Sequence, residues 1–277
     1  MKLLNFWKKN PLIPEEVRQV KMMSLLQGKN VLITGAGKNI GRSIAIEMAN
    51  QGANIFFTNI EKDANEQLEK ELSKYPVISR GFVSDISKHE DIISLYNSLL
   101  NDSIKIDILV NNAGINLYQK VERKFNINRL QRLFDTNVIG PVHLTKLISQ
   151  MMIDNNINGS IIFVTSIHQW HVFLDEGYSP SKAAIGMLIK ELAVELAPHN
   201  IRVNGIAPGN IDQDKKGVAI PHRYTPLYKS SVSPCYIGRA AVYLSSDFFS
   251  KYTTGTVIKI DGGLSLYNHL VDKRMER

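Results

Sequence analysis

The sequence predicts an open α/β fold in which helices cover both faces of a doubly wound, seven-stranded parallel sheet. Short apolar segments alternate with helical patterns along the 277-residue chain, and a glycine-rich turn joins the first apolar segment to the first helical pattern. Alternation of this kind is typical of a sheet that is buried on both faces. We expect strands at 30–34, 54–58, 77–84, 107–111, 160–165, 201–206 and 256–260.

The sheet is expected to belong to a single domain, because no linker rich in Pro, Gly or Ser divides the chain. We assign the domain to 28–266, an N-terminal extension to 1–27 and a C-terminal tail to 267–277. The apolar stretches of the extension are too short for a signal peptide or a membrane span. Gly140-Pro141 lies inside the helical pattern of 127–155 and predicts a kink there.

Charge and cysteine content narrow the class of protein. The net charge is +7, but the basic residues are spread along the chain and no nucleic-acid motif appears, so no nucleic-acid partner is predicted. The single cysteine, Cys235, excludes an internal disulfide and fits a reducing compartment such as the cytoplasm. We predict no metal site and no membrane partner.

A glycine-rich turn follows the first strand candidate and reads Thr34-Gly35-Ala36-Gly37-Lys38-Asn39-Ile40-Gly41. Glycines let the backbone approach a pyrophosphate, and the amides and dipole of the following helix attract its charge. The turn therefore predicts a dinucleotide site. For glycines taken singly, a tight turn without a ligand is the alternative.

Polar groups also follow later strand candidates, at Asp85-Ile86, Asn111-Asn112-Ala113-Gly114 and Ser166. The carboxyl ends of parallel strands form the edge at which ligands bind. A serine at a strand end is more often a turn or cap residue than a catalyst. Ser166, however, precedes Tyr178 by only twelve residues, so it is a candidate hydrogen-bond donor to a substrate oxygen.

Tyr178 and Lys182 lie four residues apart at the start of a helical run, which places a phenol and an ammonium on one face. A nearby cation lowers the pKa of a phenol from about 10 by roughly one to three units. The pair therefore predicts proton exchange with a substrate hydroxyl or carbonyl near neutral pH. Without the other motifs, a surface phenol beside a solvated ammonium would be the better interpretation.

These motifs, in this order, resemble those of the short-chain dehydrogenase/reductase family. The resemblance covers almost the whole chain from about Leu25 to Gly263. The resemblance implies a Rossmann-type fold and an oxidoreductase that uses NAD(P), in which the cofactor carries the hydride and the protein supplies orientation and a proton. It also implies a homodimer or homotetramer, formed through the helices that start near Ile127 and Tyr178. Further matching segments are Asn137, Arg202-Val203-Asn204, Pro208-Gly209 and Asp261-Gly262-Gly263.

The resemblance implies a role for each matching residue. Tyr178 would be the general acid/base, Ser166 would polarise the carbonyl, and Lys182 would lower the tyrosine pKa and bind the ribose. Asn137 would hold a water in the proton relay. The other expected cofactor contacts are Asp85 and Ile86 at the adenine, Asn112, Ala113 and Gly114 near the central strands, Pro208 and Gly209 beside the nicotinamide, and Ile211.

Three positions depart from the family pattern. Asn39 replaces the middle glycine of the turn, although asparagine tolerates left-handed backbone conformations. Ser166 lies one residue closer to Tyr178 than expected, and Thr165 would restore the spacing. Gln213 replaces a threonine. A second hypothesis follows, in which the protein binds a dinucleotide with weak catalysis and acts in assembly or sensing.

The end of the second strand predicts the cofactor preference. An acid there would accept hydrogen bonds from the ribose and repel a 2′-phosphate, but the residue is Asn59. Lys38 and Arg42 add positive charge, whereas Glu61 opposes it. We therefore predict NADP, with NAD as the alternative; an ordinary solvated Lys38 is the competing interpretation.

Two segments, 167–177 and 210–226, are expected to select the substrate. Gln169, Trp170 and Asp175 in the first predict a sugar-like, polyol or other small hydroxylated substrate, with loop packing and an oligomer contact as the alternative. His222 and Arg223 in the second would meet an anionic substrate or form a solvated basic loop. The main rival is a 3-oxoacyl reductase, which a mainly apolar pocket would favour.

Overall fold

The sheet is built from seven parallel strands in the order 3-2-1-4-5-6-7. A computed structural model describes residues 24–117, 126–214 and 217–268, so most of the predicted extension and tail lies outside the described residues. The doubly wound parallel sheet is confirmed, with small differences in strand bounds. The strands are β1 Asn30–Thr34, β2 Asn54–Asn59, β3 Ser79–Val83, β4 Ile108–Asn111, β5 Ser160–Val164, β6 Arg202–Pro208 and β7 Val257–Ile260.

Two apolar cores lie on opposite faces of the sheet, because successive side chains of a strand point to opposite sides. In β1, Val31 and Ile33 belong to one core and Leu32 to the other. The first core includes residues of α1 and α7, and the second includes residues of α3, α5 and α6. The helices are α1 Asn39–Asn50, α2 Lys62–Leu72, α3 His89–Asn101, α4 Ile127–Phe134, α5 Gly140–Asp154, α6 Tyr178–Leu196, α7 Pro234–Ser245 and α8 Asp247–Ser250.

The strand order reverses at β1, which pairs with β2 on one side and with β4 on the other. The helices that follow β1 and β4 therefore leave in opposite directions, which opens a crevice at the carboxyl ends of these strands. The glycine-rich turn and the Asn112 segment leave their strands at this crevice. Within the described residues, no helix is long and apolar enough to cross a membrane.

The predicted kink near Gly140-Pro141 is a π turn over Asp135–Ile139 that joins α4 to α5. Pro141 has no N–H to donate to the carbonyl one turn earlier, which belongs to Asn137. A Cβ at Gly140 would overlap the carbonyl of Ile86, so only glycine allows α5 to come this close. The irregular turn places Asn137 beside the crevice instead of on a regular helix.

Candidate active site

The glycine-rich turn has the backbone geometry of an anion site. Gly35 has a φ of +66°, and Asn39 also adopts the left-handed region, with a φ of 48°. Asparagine is one of the few side chains that tolerates this region, so the replacement of a glycine by Asn39 leaves the turn intact. No side chain caps the start of α1 and its first turn contains no acid, so its dipole can attract a phosphate.

The turn also packs closely against the end of β4. A Cβ at Gly41 would overlap the carbonyl of Gly35 and the side chain of Asn112, so glycine is required there. The Asn112 amide donates to the carbonyls of Thr34 and Gly35 at 3.0 and 2.9 Å. The backbone N–H groups of Asn112 and Ala113 both donate to Thr34 Oγ1 at 3.0 Å. These bonds hold the end of β4 against the turn.

Asn59 supports the turn from the end of β2. Its Oδ1 accepts from the Gly37 N–H at 2.6 Å, and its Nδ2 donates to Asn65 Oδ1 at 2.7 Å. A Cβ at Gly37 would lie 2.8 Å from Asn59 Oδ1, so this contact requires glycine. The side chain is therefore neutral and engaged in holding the loop, and it brings no negative charge to the crevice.

The two basic residues of the turn differ in their surroundings. The Arg42 guanidinium lies 2.5 Å from Glu71, so part of its charge is balanced, and its contribution to a phosphate site stays a prediction. Lys38 is exposed immediately before α1. Lys38 is thus the candidate cation for a cofactor phosphate at this turn.

The other predicted cofactor residues also follow strands of the sheet. Asp85 follows β3, and its Oδ1 accepts from the N–H and hydroxyl of Ser87 at 3.0 and 2.7 Å. The Ile86 side chain is buried in the second core.

The predicted nicotinamide contacts lie at the end of β6. Gly209 follows β6 and donates its N–H to the Ile260 carbonyl at 3.1 Å, while Ile211 packs against the first core. Pro208 is the last residue of β6. Parallel pairing brings these segments to the same edge as the glycine turn.

Ser166 and Tyr178 lie together despite their shortened spacing, since the Ser166 side chain is close enough to the phenol to lower its pKa. Ser166 follows β5, and its Oγ also accepts from the His168 N–H at 3.2 Å. Thr165 is buried and its hydroxyl donates to the Ile206 carbonyl at 3.3 Å. Ser166 is therefore the partner of the phenol, and Thr165 is not.

Lys182 is buried behind the phenol. Its Nζ donates to the Val164 carbonyl at 3.0 Å and lies 5.6 Å from the centre of the Tyr178 ring. Burial lowers the pKa of Lys182 to about 8. Burial also raises the pKa of the Tyr178 phenol above its ordinary value, and Asp175 adds to this rise while the Ser166 hydroxyl opposes it. The prediction of a lowered tyrosine pKa is wrong, because burial and the Asp175 carboxylate together outweigh the Ser166 hydroxyl.

Asn137 connects the π turn to two other parts of the site. Its Oδ1 accepts from the Ile115 N–H at 2.8 Å, and its Nδ2 donates to the Ile115 carbonyl at 3.0 Å and to Ser181 Oγ at 3.1 Å. A Cβ at Gly114 would lie 3.2 Å from Asn137 Oδ1 and 3.4 Å from Lys182 Nζ. The Asn137 side chain is thus held by Ile115 and Ser181, which fixes its position beside Gly114 and Lys182.

Asp175 has a different role from the one predicted for it. Its Oδ1 accepts from the N–H groups of Gly177 and Tyr178 at 2.9 and 2.7 Å, and its other oxygen lies 3.4 Å from Arg129. Burial alone would raise the pKa of this carboxyl, but the two backbone bonds and Arg129 hold it below the ordinary value. Asp175 therefore fixes the start of α6 and the position of Tyr178. An aspartate whose side chain accepts from the backbone N–H two residues further on forms an Asx turn, which is the local signal for this contact.

His168 forms the wall beside the phenol. Its ring lies edge-on to Tyr178, with ring centres 4.9 Å apart, and stacks on Phe173 at 3.7 Å. Its Nδ1 is 2.9 Å from Ser179 Oγ. Burial lowers the pKa of His168, with Asp175 opposing the change and Lys182 and His171 adding to it. At neutral pH the imidazole is therefore uncharged.

A cavity of about 320 Å³ lies beside this wall. Its lining contains no lysine, arginine or acid, and its polar groups are those of His171 and Ser265 and the hydroxyls of Tyr224 and Tyr267. The apolar and aromatic lining residues are Ile167, Val172, Phe173, Tyr224, Leu264 and Tyr267.

The segment after β6 contains no helix among its described residues before α7. Gln213 donates to the Gly217 carbonyl at 2.8 Å. His222 Nδ1 lies 2.8 Å from Thr225 Oγ1, and the Arg223 guanidinium lies 5.4 Å from the centre of the Tyr224 ring. The two basic residues are thus held against their own segment.

The lowered pKa of Lys182 makes stability depend on pH. Between about pH 8 and 10.5, the unfolded chain retains a proton that the folded chain has lost, so the free energy of unfolding rises with pH. We expect the difference in unfolding free energy between the wild type and Lys182→Met to grow across this window in urea titrations. The same difference for the exposed Lys105→Met stays flat. A flat difference for Lys182→Met would contradict the assigned direction.

Comparisons with known proteins agree with this geometry. The short chain dehydrogenase family matches residues 29–220. The chain is 33% identical over 255 residues to 3beta-hydroxysteroid dehydrogenase 1 of Eggerthella lenta, covering 87% of this chain and 95% of that protein. It is 32% identical over 252 residues to glucose 1-dehydrogenase 2 of Bacillus subtilis, covering 87% and 96%.

The fold has a matching solved structure, a short-chain type dehydrogenase/reductase from Mycobacterium marinum. The TM-score is 0.78 at 31% identity, covering 86% of this chain and 96% of that one. The chain belongs to the short-chain dehydrogenase family. It is an oxidoreductase of the class that acts on CH–OH groups with a nicotinamide cofactor.

Proposed function

We propose that the protein reduces a mainly apolar ketone with NADPH and oxidises the corresponding secondary alcohol in reverse. The observation that carries this proposal is the placement of Ser166 beside the Tyr178 phenol, next to a cavity whose lining is rich in apolar and aromatic side chains and contains no lysine, arginine or acid. The intact pair, together with the left-handed Asn39, favours catalysis over a binding protein that has lost its activity.

Some residues of the crevice would bind the cofactor in this reaction, and others would bind and protonate the carbonyl oxygen. The turn from Gly35 to Gly41 would hold the pyrophosphate, and Lys182 would bind the ribose. When bound, the cofactor supplies a hydride to the carbonyl carbon. The Ser166 hydroxyl donates a hydrogen bond to the carbonyl oxygen, and the Tyr178 phenol gives its proton to that oxygen as charge develops. A water held by Asn137 would return a proton to the phenolate.

The raised pKa of Tyr178 supports reduction as the direction favoured near pH 7. Burial keeps the phenol protonated there, and the protonated phenol is the form that donates to a carbonyl oxygen. Oxidation needs the phenolate, so its rate is expected to rise with pH. The raised value therefore favours a proton donor at neutral pH.

Two contacts weigh against the sugar-like substrate that the sequence suggested. One face of Trp170 is covered by Lys259, whose Nζ lies 4.6 Å from the centre of the ring. Asp175 is occupied by the start of α6. The buried Gln169 amide has no hydrogen-bond partner among the described residues. Two of the three groups expected to bind a sugar are thus engaged by the protein itself, which favours the apolar alternative.

The preference for NADP is tested at Lys38. We expect Lys38→Ala to weaken NADPH binding about fivefold, because one partly screened ion pair is worth about 1 kcal/mol, and to leave NADH binding nearly unchanged. Titrations that follow energy transfer from tryptophan to the nicotinamide measure both affinities. Lys105→Ala, at the opposite edge of the sheet, is the control. An unchanged affinity ratio in Lys38→Ala would remove the basis for NADP.

We also propose that the chain forms a homo-oligomer through α6. Met187 and Val194 are exposed on this helix, and their spacing of seven residues places them on one face. A second copy of the chain would cover this apolar face. Sedimentation should therefore give a mass of at least two 31.2 kDa chains, and the mass of a single chain would reject the proposal.

A further inference from the structure

Arg129 on α4 is bonded to two of the segments that leave the carboxyl edge of the sheet. Its Nε donates at 2.9 Å to the carbonyl of Leu117, in the segment that follows β4. Its Nη2 donates at 3.4 Å to Oδ2 of Asp175, in the segment that follows β5. One side chain therefore ties both segments to α4.

The ion pair of Arg129 and Asp175 is shielded from water. The exposed fractions of the two side chains are 13% and 5%, whereas those of the pair formed by Arg80 and Asp102 are 48% and 38%. Water and salt weaken a buried pair much less than an exposed one. Removing one partner of a buried pair also leaves the other charge without compensation. Each of these two charges therefore acts strongly on its neighbours.

The backbone next to Asp175 is held in a strained conformation. Leu174 lies in the left-handed region with a φ of 54°, which is rare for a leucine. Its side chain is 79% exposed, so the packing of that side chain does not explain the conformation. A strained residue persists only where surrounding contacts hold it. The bonds that join Asp175 to Arg129 and to the start of α6 are contacts of this kind.

Asp175 passes this constraint to the residue that carries the phenol. Its Oδ1 accepts from the N–H groups of Gly177 and Tyr178 at 2.9 and 2.7 Å. α4 packs on the same turn, since a Cβ at Gly177 would lie 2.5 Å from Leu133 Cδ1 and 3.6 Å from Arg129 Nη1. The start of α6 is thus fixed by α4 and by a carboxylate that Arg129 itself holds.

The charged and titratable groups around the phenol come from α6 and from the segment after β5. Lys182 Nζ lies 5.6 Å from the centre of the Tyr178 ring, and the His168 ring centre lies 4.9 Å from it. Burial raises the pKa of the phenol, and the Asp175 carboxylate raises it further. Arg129 balances that carboxylate. Loss of the carboxylate charge should therefore make the phenol a stronger acid, and loss of Arg129 should make it a weaker one.

We propose that Arg129 is a positioning residue of the active site, which through Asp175 holds the start of α6 and balances the charge that acts on the Tyr178 phenol. This inference rests on the proposed function, in which that phenol exchanges a proton with the substrate oxygen. Arg129 acts through Asp175 and not on the substrate. Its second bond, to the Leu117 carbonyl, extends the same constraint to the segment after β4.

Titration of the Tyr178 phenol in the full-length protein tests the proposal. Incorporated fluorotyrosine gives each phenol a fluorine NMR signal and ionises at lower pH than tyrosine, and the signal missing from Tyr178→Phe identifies Tyr178. Asp175→Asn keeps an oxygen for the two backbone N–H groups and removes the charge, so the ionisation constant of the phenol should rise about tenfold. Arg129→Met leaves the carboxylate without its cation, so the constant should fall.

Arg80→Met is the matched control, because it removes an arginine from a half-exposed ion pair and should leave the titration of Tyr178 unchanged. A purely structural role would not shift the titration in opposite directions in the two test variants. The inference is overturned if the shifts are absent or have the same sign. If one variant does not fold, the direction of the shift in the other decides. The proposed function fails in a separate measurement, if Tyr178→Phe keeps the wild-type rate of ketone reduction.

Discussion

Tyr178→Phe is expected to lower kcat for ketone reduction by about 10²–10⁴-fold, the usual contribution of a general acid. The substitution removes the phenol oxygen and keeps the ring that packs against His168 and Lys182. The fold and the cofactor turn are therefore preserved, and NADPH affinity should stay within about twofold, since the loss is confined to the proton that the transition state needs. Steady-state rates with a ketone that the wild type reduces, together with an NADPH titration, measure both quantities.

A tyrosine far from the site provides the control for this experiment. Tyr252 is 96% exposed after α8, so Tyr252→Phe should keep both the rate and the affinity. If Tyr178→Phe retained more than a tenth of the wild-type kcat, Tyr178 would not be the proton donor. A large loss of NADPH affinity alone would instead assign it to cofactor binding.

Arg202→Met is expected to lower the free energy of unfolding by about 3 kcal/mol, because hydrogen bonds from a charged donor are worth roughly 1.5–3 kcal/mol each. The Arg202 guanidinium is buried at the start of β6. It donates to the carbonyls of Leu244 and Ser245 at 2.7 and 3.2 Å and to Ser250 Oγ at 3.1 Å. Methionine fills similar space and leaves the Ser245 carbonyl without this donor.

Thermal unfolding followed by circular dichroism measures this effect. A loss of about 3 kcal/mol corresponds to a decrease in Tm of roughly 5–10 °C for a domain of this size. Arg80→Met is the comparison, because Arg80 pairs with Asp102 in a half-exposed position and such pairs contribute about 0–1 kcal/mol. Equal decreases in Tm for the two variants would mean that the Arg202 hydrogen bonds contribute no more stability than the half-exposed pair of Arg80 and Asp102.

The features that sequence alone predicted are those governed by neighbouring residues. Apolar runs set the seven strands, and the turn that contains Gly35 and Asn39 needs only local backbone preferences. The Ser166, Tyr178 and Lys182 set was likewise found from motif and order. These features depend on short spans of chain, so a single sequence carries them.

The features that sequence misjudged depend on distant contacts or on burial. The pKa of Tyr178 follows the burial of the phenol and the nearby Asp175 carboxylate, which spacing along the chain does not encode. Asp175, expected to accept substrate hydroxyls, instead accepts from the backbone N–H groups at the start of α6. The ion pair between Arg42 and Glu71 joins two helices and is likewise absent from the sequence pattern. The residue type predicts what a side chain can do chemically. The tertiary structure determines whether that side chain is free to bind a substrate.

The bond between Asn59 and Asn65 leaves a short evolutionary route to a different cofactor preference. An aspartate at position 59 would still accept from Gly37, and a half-turn of the Asn65 amide would present its Nδ2 as a donor where its Oδ1 now accepts at 2.7 Å. A single substitution toward an acid at the end of β2 therefore keeps both bonds of the loop and adds a charge that repels a 2′-phosphate. A double-mutant cycle at positions 59 and 65 would measure how far the two residues depend on each other.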